Sequence, residues 1–319
     1  MIQGFAARGG RLARVADPLA PTQDVVWFDL ADPTEAEEIS LEELLGFDVP
    51  TREEMEEIED SSRLYVEEGA VFMTATLLSA VATGYCVRGP VTFILVGGRL
   101  VTLRYHEPSA FRSLPARAEK SVLGCADGET VLMALLDAIV DRLADILEKV
   151  GRDLEQVSRG VFRRDEIEKG SHDYTPVLRE IGRLGDLVSN VLDSLVSIER
   201  LLVFLGAATG TGKESRGRQK TLSRDTRFLT EHASFLSQKI TFLLDATLGM
   251  IGIEQNATIK IFSVAAVIFL PPTLIASIYG MNFGVMPELN WAFGYPFALG
   301  LMVASAVVSF WVFKKRGWL

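Results

Sequence analysis

Apolar residues recur at steps of three and four through two long stretches of the chain. Leu132, Leu136, Ile139, Leu143, Ile146, Val150, Leu154, Val157 and Val161 form the first series. Ile181, Leu184, Val188, Val191, Leu195, Ile198, Leu202 and Leu205 form the second. This spacing draws one apolar stripe along each of two long packed helices. A third series, Leu222, Leu229, Leu236, Leu243 and Met250, recurs every seven residues, with Phe228, Phe235 and Phe242 as a companion track. No proline follows until Pro271. A single helix of roughly 60 residues, about 90 Å at ~1.5 Å per residue, is therefore expected from about Gln219. Before it, "GAATGTGKESRGR" (Gly206 to Arg218) predicts a flexible turn.

Residues 1–124 predict a mixed α/β region. "VVWFDLADPTEAEEISLEELLG" reads as a strand followed by an acidic helix capped by Asp32 or Thr34. "LYVEEGAVFMTATLLSAV" and "PVTFILVGGRLVTLRYH" read as strands joined by Gly turns. "TREEMEEIEDSSR" carries six acids between Thr51 and Asp60, either a solvated helix face or a cation site.

The pattern changes after residue 256. "IFSVAAVIFLPPTLIASIYG" (Ile261 to Gly280) and the uncharged "WAFGYPFALGLMVASAVVSFWVF" (Trp291 to Phe313) are each long enough to span a bilayer. The spans are expected at about 259–280 and 291–313. This gives three regions: a cytosolic α/β domain over 1–124, long stalk helices over 125–255, and a two-helix transmembrane domain over 256–319. Lys260 precedes the first span and Lys314, Lys315 and Arg316 follow the second, while the connecting loop has no Lys or Arg. The positive-inside rule then puts both termini in the cytoplasm. Trp291, Tyr295, Trp311 and Trp318 suit the two interfaces.

Charge sharpens the picture. The chain carries −10 overall, but residues from 257 onward carry +3, which leaves −13 for residues 1–256. An acidic soluble part argues against nucleic acid and is compatible with attracting cations. Cys86 and Cys125 have no metal-ligand spacing, and no HExxH, nucleophile elbow or phosphate loop occurs. The nearest approach to a phosphate loop has Ala207 where the first Gly belongs and Glu214 in place of Ser or Thr.

One face of the first span gathers the small and polar residues. It runs Asp245, Gly249, Gly252, Asn256, Ile259, Ser263, Ala266, Leu270, Thr273, Ser277 and Gly280. Such a stripe serves either close helix packing or a water-filled pore. A pore needs several copies of the chain in closed symmetry, because two spans cannot enclose one. In that reading Asp245 rings the cytoplasmic mouth, Asn256 and Thr273 form polar rings, and Ile259 and Leu270 form constrictions that gate by dewetting.

"YGMNFGVMPELNWAFGYP" and the closing "KKRGWL" resemble the CorA family of magnesium and cobalt channels. Gly280-Met281-Asn282 matches the family's signature tripeptide, and "FLPPTLIASIYGMNF", "WFDLADPT", "PTREEMEEIEDSSRLY" and "LLDATLGMIGIEQN" are similar to bacterial members. The resemblance implies an α+β membrane protein: a cytosolic α/β/α funnel, long stalk helices and two C-terminal transmembrane helices, assembled as a homopentamer in the bacterial inner membrane. It implies influx of hydrated Mg²⁺, with Co²⁺ and Ni²⁺ as further ions, and gating by intracellular Mg²⁺. Gly280, Met281 and Asn282 would form the selectivity filter, and Asn282 would hold the ion through water. Regulatory acids would be Asp225, Glu231 and the Glu53–Asp60 run. Many members carry an acid where this chain has Gly284, leaving Glu288 as the outer-loop anion. The alternatives are the zinc-transporting branch of the same superfamily and a membrane-anchored sensor that conducts nothing.

Overall fold

The computed structural model describes residues 1–20, 24–57, 59–80, 86–122, 124–162, 173–208, 213–282, 284, 286, 287 and 291–318. The chain divides into two compact units, one formed by Met1–Asp165 with Thr175–Leu243 and one centred on Leu244–Leu319.

The first unit is built on a seven-stranded sheet. Its strands are β1 (Ile2–Arg8), β2 (Arg11–Val15), β3 (Val25–Ala31), β4 (Leu64–Glu67), β5 (Ala70–Ala80), β6 (Cys86–Val96) and β7 (Arg99–Arg104), in the order β2-β1-β3-β7-β6-β5-β4. The β3–β7 pair is parallel and its other neighbours are antiparallel. Val71, Met73, Ala75 and Leu77 of β5 join one core cluster, while Phe72 joins the other. This alternation follows from the two-residue period of a strand buried on both faces.

Two helical layers cover the sheet. On one face lie α1 (Glu35–Leu45) and α2 (Arg52–Glu56), anchored by the buried Leu41 and Met55. Thr34 and Glu37 close a capping box at the start of α1, and Thr51 and Glu54 do the same for α2. A single turn, α3 (Asp60–Arg63), leads into β4. The opposite core cluster takes in α4 (Ser109–Lys120), α5 (Gly128–Phe162), α6 (Thr175–Ala208) and the first part of α7 (Lys213–Tyr279). The first unit is thus an α/β/α sandwich, the layering that the family resemblance implied.

The helical stripes are buried as their spacing requires. All eight members of the Ile181–Leu205 series are buried, and Ile146 and Val157 alone in the α5 series are only partly so. Gly128 is where α5 meets β7. A Cβ there would stand 2.3 Å from the Arg99 carbonyl carbon, and the Gly128 N–H donates to Gly98 O at 2.7 Å. Only glycine permits so close an approach.

The structure corrects one expectation and adds one feature. Helix α6 runs on to Ala208 and α7 starts at Lys213, so helix replaces most of the turn expected over Gly206–Arg218. Gln219 Nε2 donates to Leu202 O at 2.6 Å, which occupies a carbonyl near the end of α6. The N-terminal hairpin β1–β2, turning at Gly9-Gly10, was not anticipated.

Candidate ion-conduction path

Among the described residues, two helices are long and apolar enough to cross a membrane: the last part of α7 and α8 (Gly294–Lys315). Lys260 Nζ donates to Gly317 O at 3.2 Å, tying the start of the first span to the end of the second. Trp291, Tyr295, Trp311 and Trp318 are all exposed, and Lys315 Nζ lies 5.2 Å from the Trp311 ring centroid. These are the groups that favour the bilayer–water boundary.

The first span shows two kinds of surface. Val264 is buried and Ala265, Ile268, Pro271, Pro272 and Ile275 are half-covered. Phe262, Val267, Phe269, Leu274 and Ile278 are exposed and apolar. The small and polar stripe is exposed too: Asp245, Asn256, Ile259, Ser263, Ala266, Leu270, Thr273 and Ser277 are open along the helix, as is Gly280 just past its end. Exposure therefore does not separate the faces; their chemistry does. Hydroxyls and an amide have no partner in lipid tails, so their face requires protein or water.

Local chemistry at the prolines fits that face. Pro271 and Pro272 carry no N–H, so the carbonyls of Val267 and Ile268 lose their usual helical donors. Thr273 Oγ1 donates to Phe269 O at 2.8 Å, which turns its lone pairs outward.

The C-terminal end of α7 carries a feature that sequence reasoning missed. Helix α7 ends at Tyr279, with Gly280 N–H donating to Ala276 O at 2.9 Å. A Cβ on Gly280 would lie 3.1 Å from the same carbonyl, so glycine lets the chain leave the helix tightly. The last turn has no basic residue. The negative end of a long helix dipole is thus left uncompensated beside Met281 and Asn282, both exposed. A helix end read from Gly280 would have revealed this attraction for cations. Glu288 lies outside the described residues.

The remaining site residues are placed as follows. Asp225 and Glu231 are exposed on α7, with Arg224 Nε 3.9 Å from Asp225 and Arg227 Nε 3.4 Å from Glu231. Burial pushes the nearby Asp137 carboxyl up, and the charges of Asp141 and, more weakly, Asp225 add to this, against Arg218 and Arg117. In the acidic run, Glu54 serves as a cap and Glu56 pairs with Arg52 at 3.5 Å. Among the described residues no three His, Cys, Asp or Glu side chains are grouped to hold a metal.

A family described as CorA-like Mg²⁺ transporter protein matches residues 22–315. A magnesium transport protein CorA of Pasteurella multocida is 38% identical over 320 residues, covering all of both chains. One from Escherichia coli K12 is 34% identical, again over the full length of both. The complete structure of the CorA magnesium transporter from Methanocaldococcus jannaschii matches with a TM-score of 0.80 at 21% identity, covering 100% of this chain and 99% of that one. The chain belongs to the CorA family of Mg²⁺ transporters.

Proposed function

We propose that this chain forms a homopentameric channel whose first spans line a path for hydrated Mg²⁺, with Co²⁺ and Ni²⁺ as further ions. The observation that carries the reading is the small and polar stripe from Asp245 to Gly280, ending at an uncompensated helix terminus beside Asn282. Five copies turned inward would hide that stripe from lipid. The exposed Phe228, Phe235 and Phe242 on α7 support assembly, since such a ladder calls for partner surface.

The chemistry suits magnesium. Mg²⁺ gives up its waters reluctantly. A ring of Asn282 side-chain oxygens would accept hydrogen bonds from those waters without removing them, and a neutral ring binds weakly enough to release the ion. Asp245 would concentrate cations at the inner mouth, and Ile259 and Leu270 would narrow the path. In a bacterial inner membrane with both termini cytoplasmic, the potential contributes about 4.6 kcal/mol for two charges at 100 mV, from roughly 2.3 per charge. Influx then needs no second energy source. Binding of intracellular Mg²⁺ at acids such as Asp225, Glu231 or the Glu53–Asp60 run would close the channel.

The test is Mg²⁺ influx into proteoliposomes held inside-negative, for wild type and Asn282→Ala. Influx that collapses in the variant supports the reading. Influx that survives removes the role given to Asn282, and no wild-type influx from intact oligomers removes the channel.

A further inference from the structure

The first unit holds a cleft of about 820 Å³ whose origin lies in the sheet. Strand β4 covers β5 only over Ala70–Met73, while β5 continues to Ala80. Along that bare edge runs α6. Thr76 N–H donates to Ser197 Oγ at 3.0 Å, and Ser197 Oγ lies 3.2 Å from Thr76 O, so a side chain of α6 occupies the edge groups of β5. The cleft is the space left between α6, the open β5–β6 face and the α2–α3 segment.

Its lining runs against the charge of the domain. Arg63, Arg88 and Arg200 reach it, against Glu56 and Asp193. This is a local excess of cations in a region, residues 1–256, that carries −13. Two of the arginines are held by neighbouring groups, and Thr76 and Asp193 among these line the same cleft. Arg63 donates to Glu57 O and, at 3.3 Å, to Thr76 Oγ1, and Arg88 pairs with Asp193. A guanidinium has five N–H donors in a rigid fork, so anchoring on one side leaves donors for a second, bidentate acceptor. The rest of the lining is mixed: Leu64, Pro90, Leu192 and Val196 give it an apolar part, and Thr74, Thr76 and Ser197 add hydroxyls.

We propose that this cleft binds an organic polyphosphate of nucleotide size. The phosphates sit on Arg63, Arg88 and Arg200, and the organic body lies against Leu64, Pro90 and Val196. Planar fork geometry matches phosphate oxygens, and the volume falls within the range of small-molecule sites, roughly 300–1,000 Å³. The inference is independent of ion conduction, because every group it uses belongs to the α/β unit.

Calorimetric titration of the full-length, detergent-solubilised protein in Mg²⁺-free buffer tests it, with ATP and inorganic pyrophosphate as probes. ATP is expected to bind saturably, once per chain, and more tightly than pyrophosphate. Arg200→Ala and Val196→Trp, one removing charge and one filling the cleft, should each weaken ATP roughly tenfold, the change that about 1.4 kcal/mol produces. ATP should also shield Arg63 and Arg200 of the wild type from phenylglyoxal, a readout that needs no variant to fold. No saturable binding, binding unchanged in both variants, or unshielded arginines would overturn the proposal. Pyrophosphate binding as tightly as ATP would overturn the seat for an organic body.

Discussion

The α/β unit and the membrane hairpin apply one physics to opposite solvents. In the first, Leu184, Val188, Leu195 and Ile198 of α6 are hidden and charged groups lie outside. In the second, Phe262, Phe269 and Leu274 stand in the open, and the residues that need shelter are Asn256, Ser263 and Thr273. Water drives the first pattern through the hydrophobic effect. Lipid removes that drive and makes polar groups the ones that must find partners. Helix α7 passes through both regimes: its Leu222–Leu236–Leu243 track is buried in the sandwich core, and the stripe ending at Ser277 is apolar only at intervals.

The comparison breaks most strongly at a buried ion pair of the sheet. Arg104 holds Asp29 through two bonds, 3.1 and 2.9 Å, with Thr102 Oγ1 donating to the same carboxylate at 2.8 Å and Trp27 Nε1 donating to Thr102 at 3.0 Å. Asp29→Ala strands the buried guanidinium and should cost about 3–5 kcal/mol, read as a fall in the denaturant midpoint by tryptophan fluorescence. Next comes one substitution made in both solvents. Leu195→Ala, fully buried, should cost about 2–5 kcal/mol. Leu274→Ala, exposed on the first span, should cost less than about 1 kcal/mol, because lipid refills the space. Equal losses would mean that the lipid-facing assignment is wrong.

A smaller effect depends on pH. His106 Nε2 lies 3.1 Å from Leu77 O, and its ring sits against Gly89. Burial pushes its pKa below the ordinary value, the bond to Leu77 opposes this, and Arg104 adds to the fall. The folded state therefore binds fewer protons than the unfolded one as pH drops below about 6.5. Its contribution is complete above that pH and is lost as pH falls toward the lowered folded value. Unfolding midpoints measured between pH 7 and 5 should slope less in His106→Gln. The smallest effect belongs to the surface pair Arg227–Glu231, where Glu231→Gln should change stability by less than about 1 kcal/mol in the same assay.

The parts of the fold legible in the sequence are those where one face repeats. The stripes of α5 and α6 and the uncharged run from Trp291 to Phe313 announce themselves because burial or lipid acts on every turn. The β1–β2 hairpin was missed because Ile2–Val15 mixes arginines with alanines and lacks a clean two-residue alternation. At the path itself, the stripe was readable because polar residues are conspicuous among apolar ones. The helix dipole at Asn282 was overlooked, since it belongs to the backbone and Gly280, as the helix stop, is its one signal in the sequence.

The most direct test asks which face of the first span meets water. With Cys86 and Cys125 replaced, single cysteines at Ser263, Thr273 and Ser277 should let a hydrophilic thiol reagent block Mg²⁺ flux. Cysteines at Val267, Phe269 and Leu274 should not. Block confined to the second set, or equal at both, would contradict the assignment of the Asp245–Gly280 stripe to the conduction path.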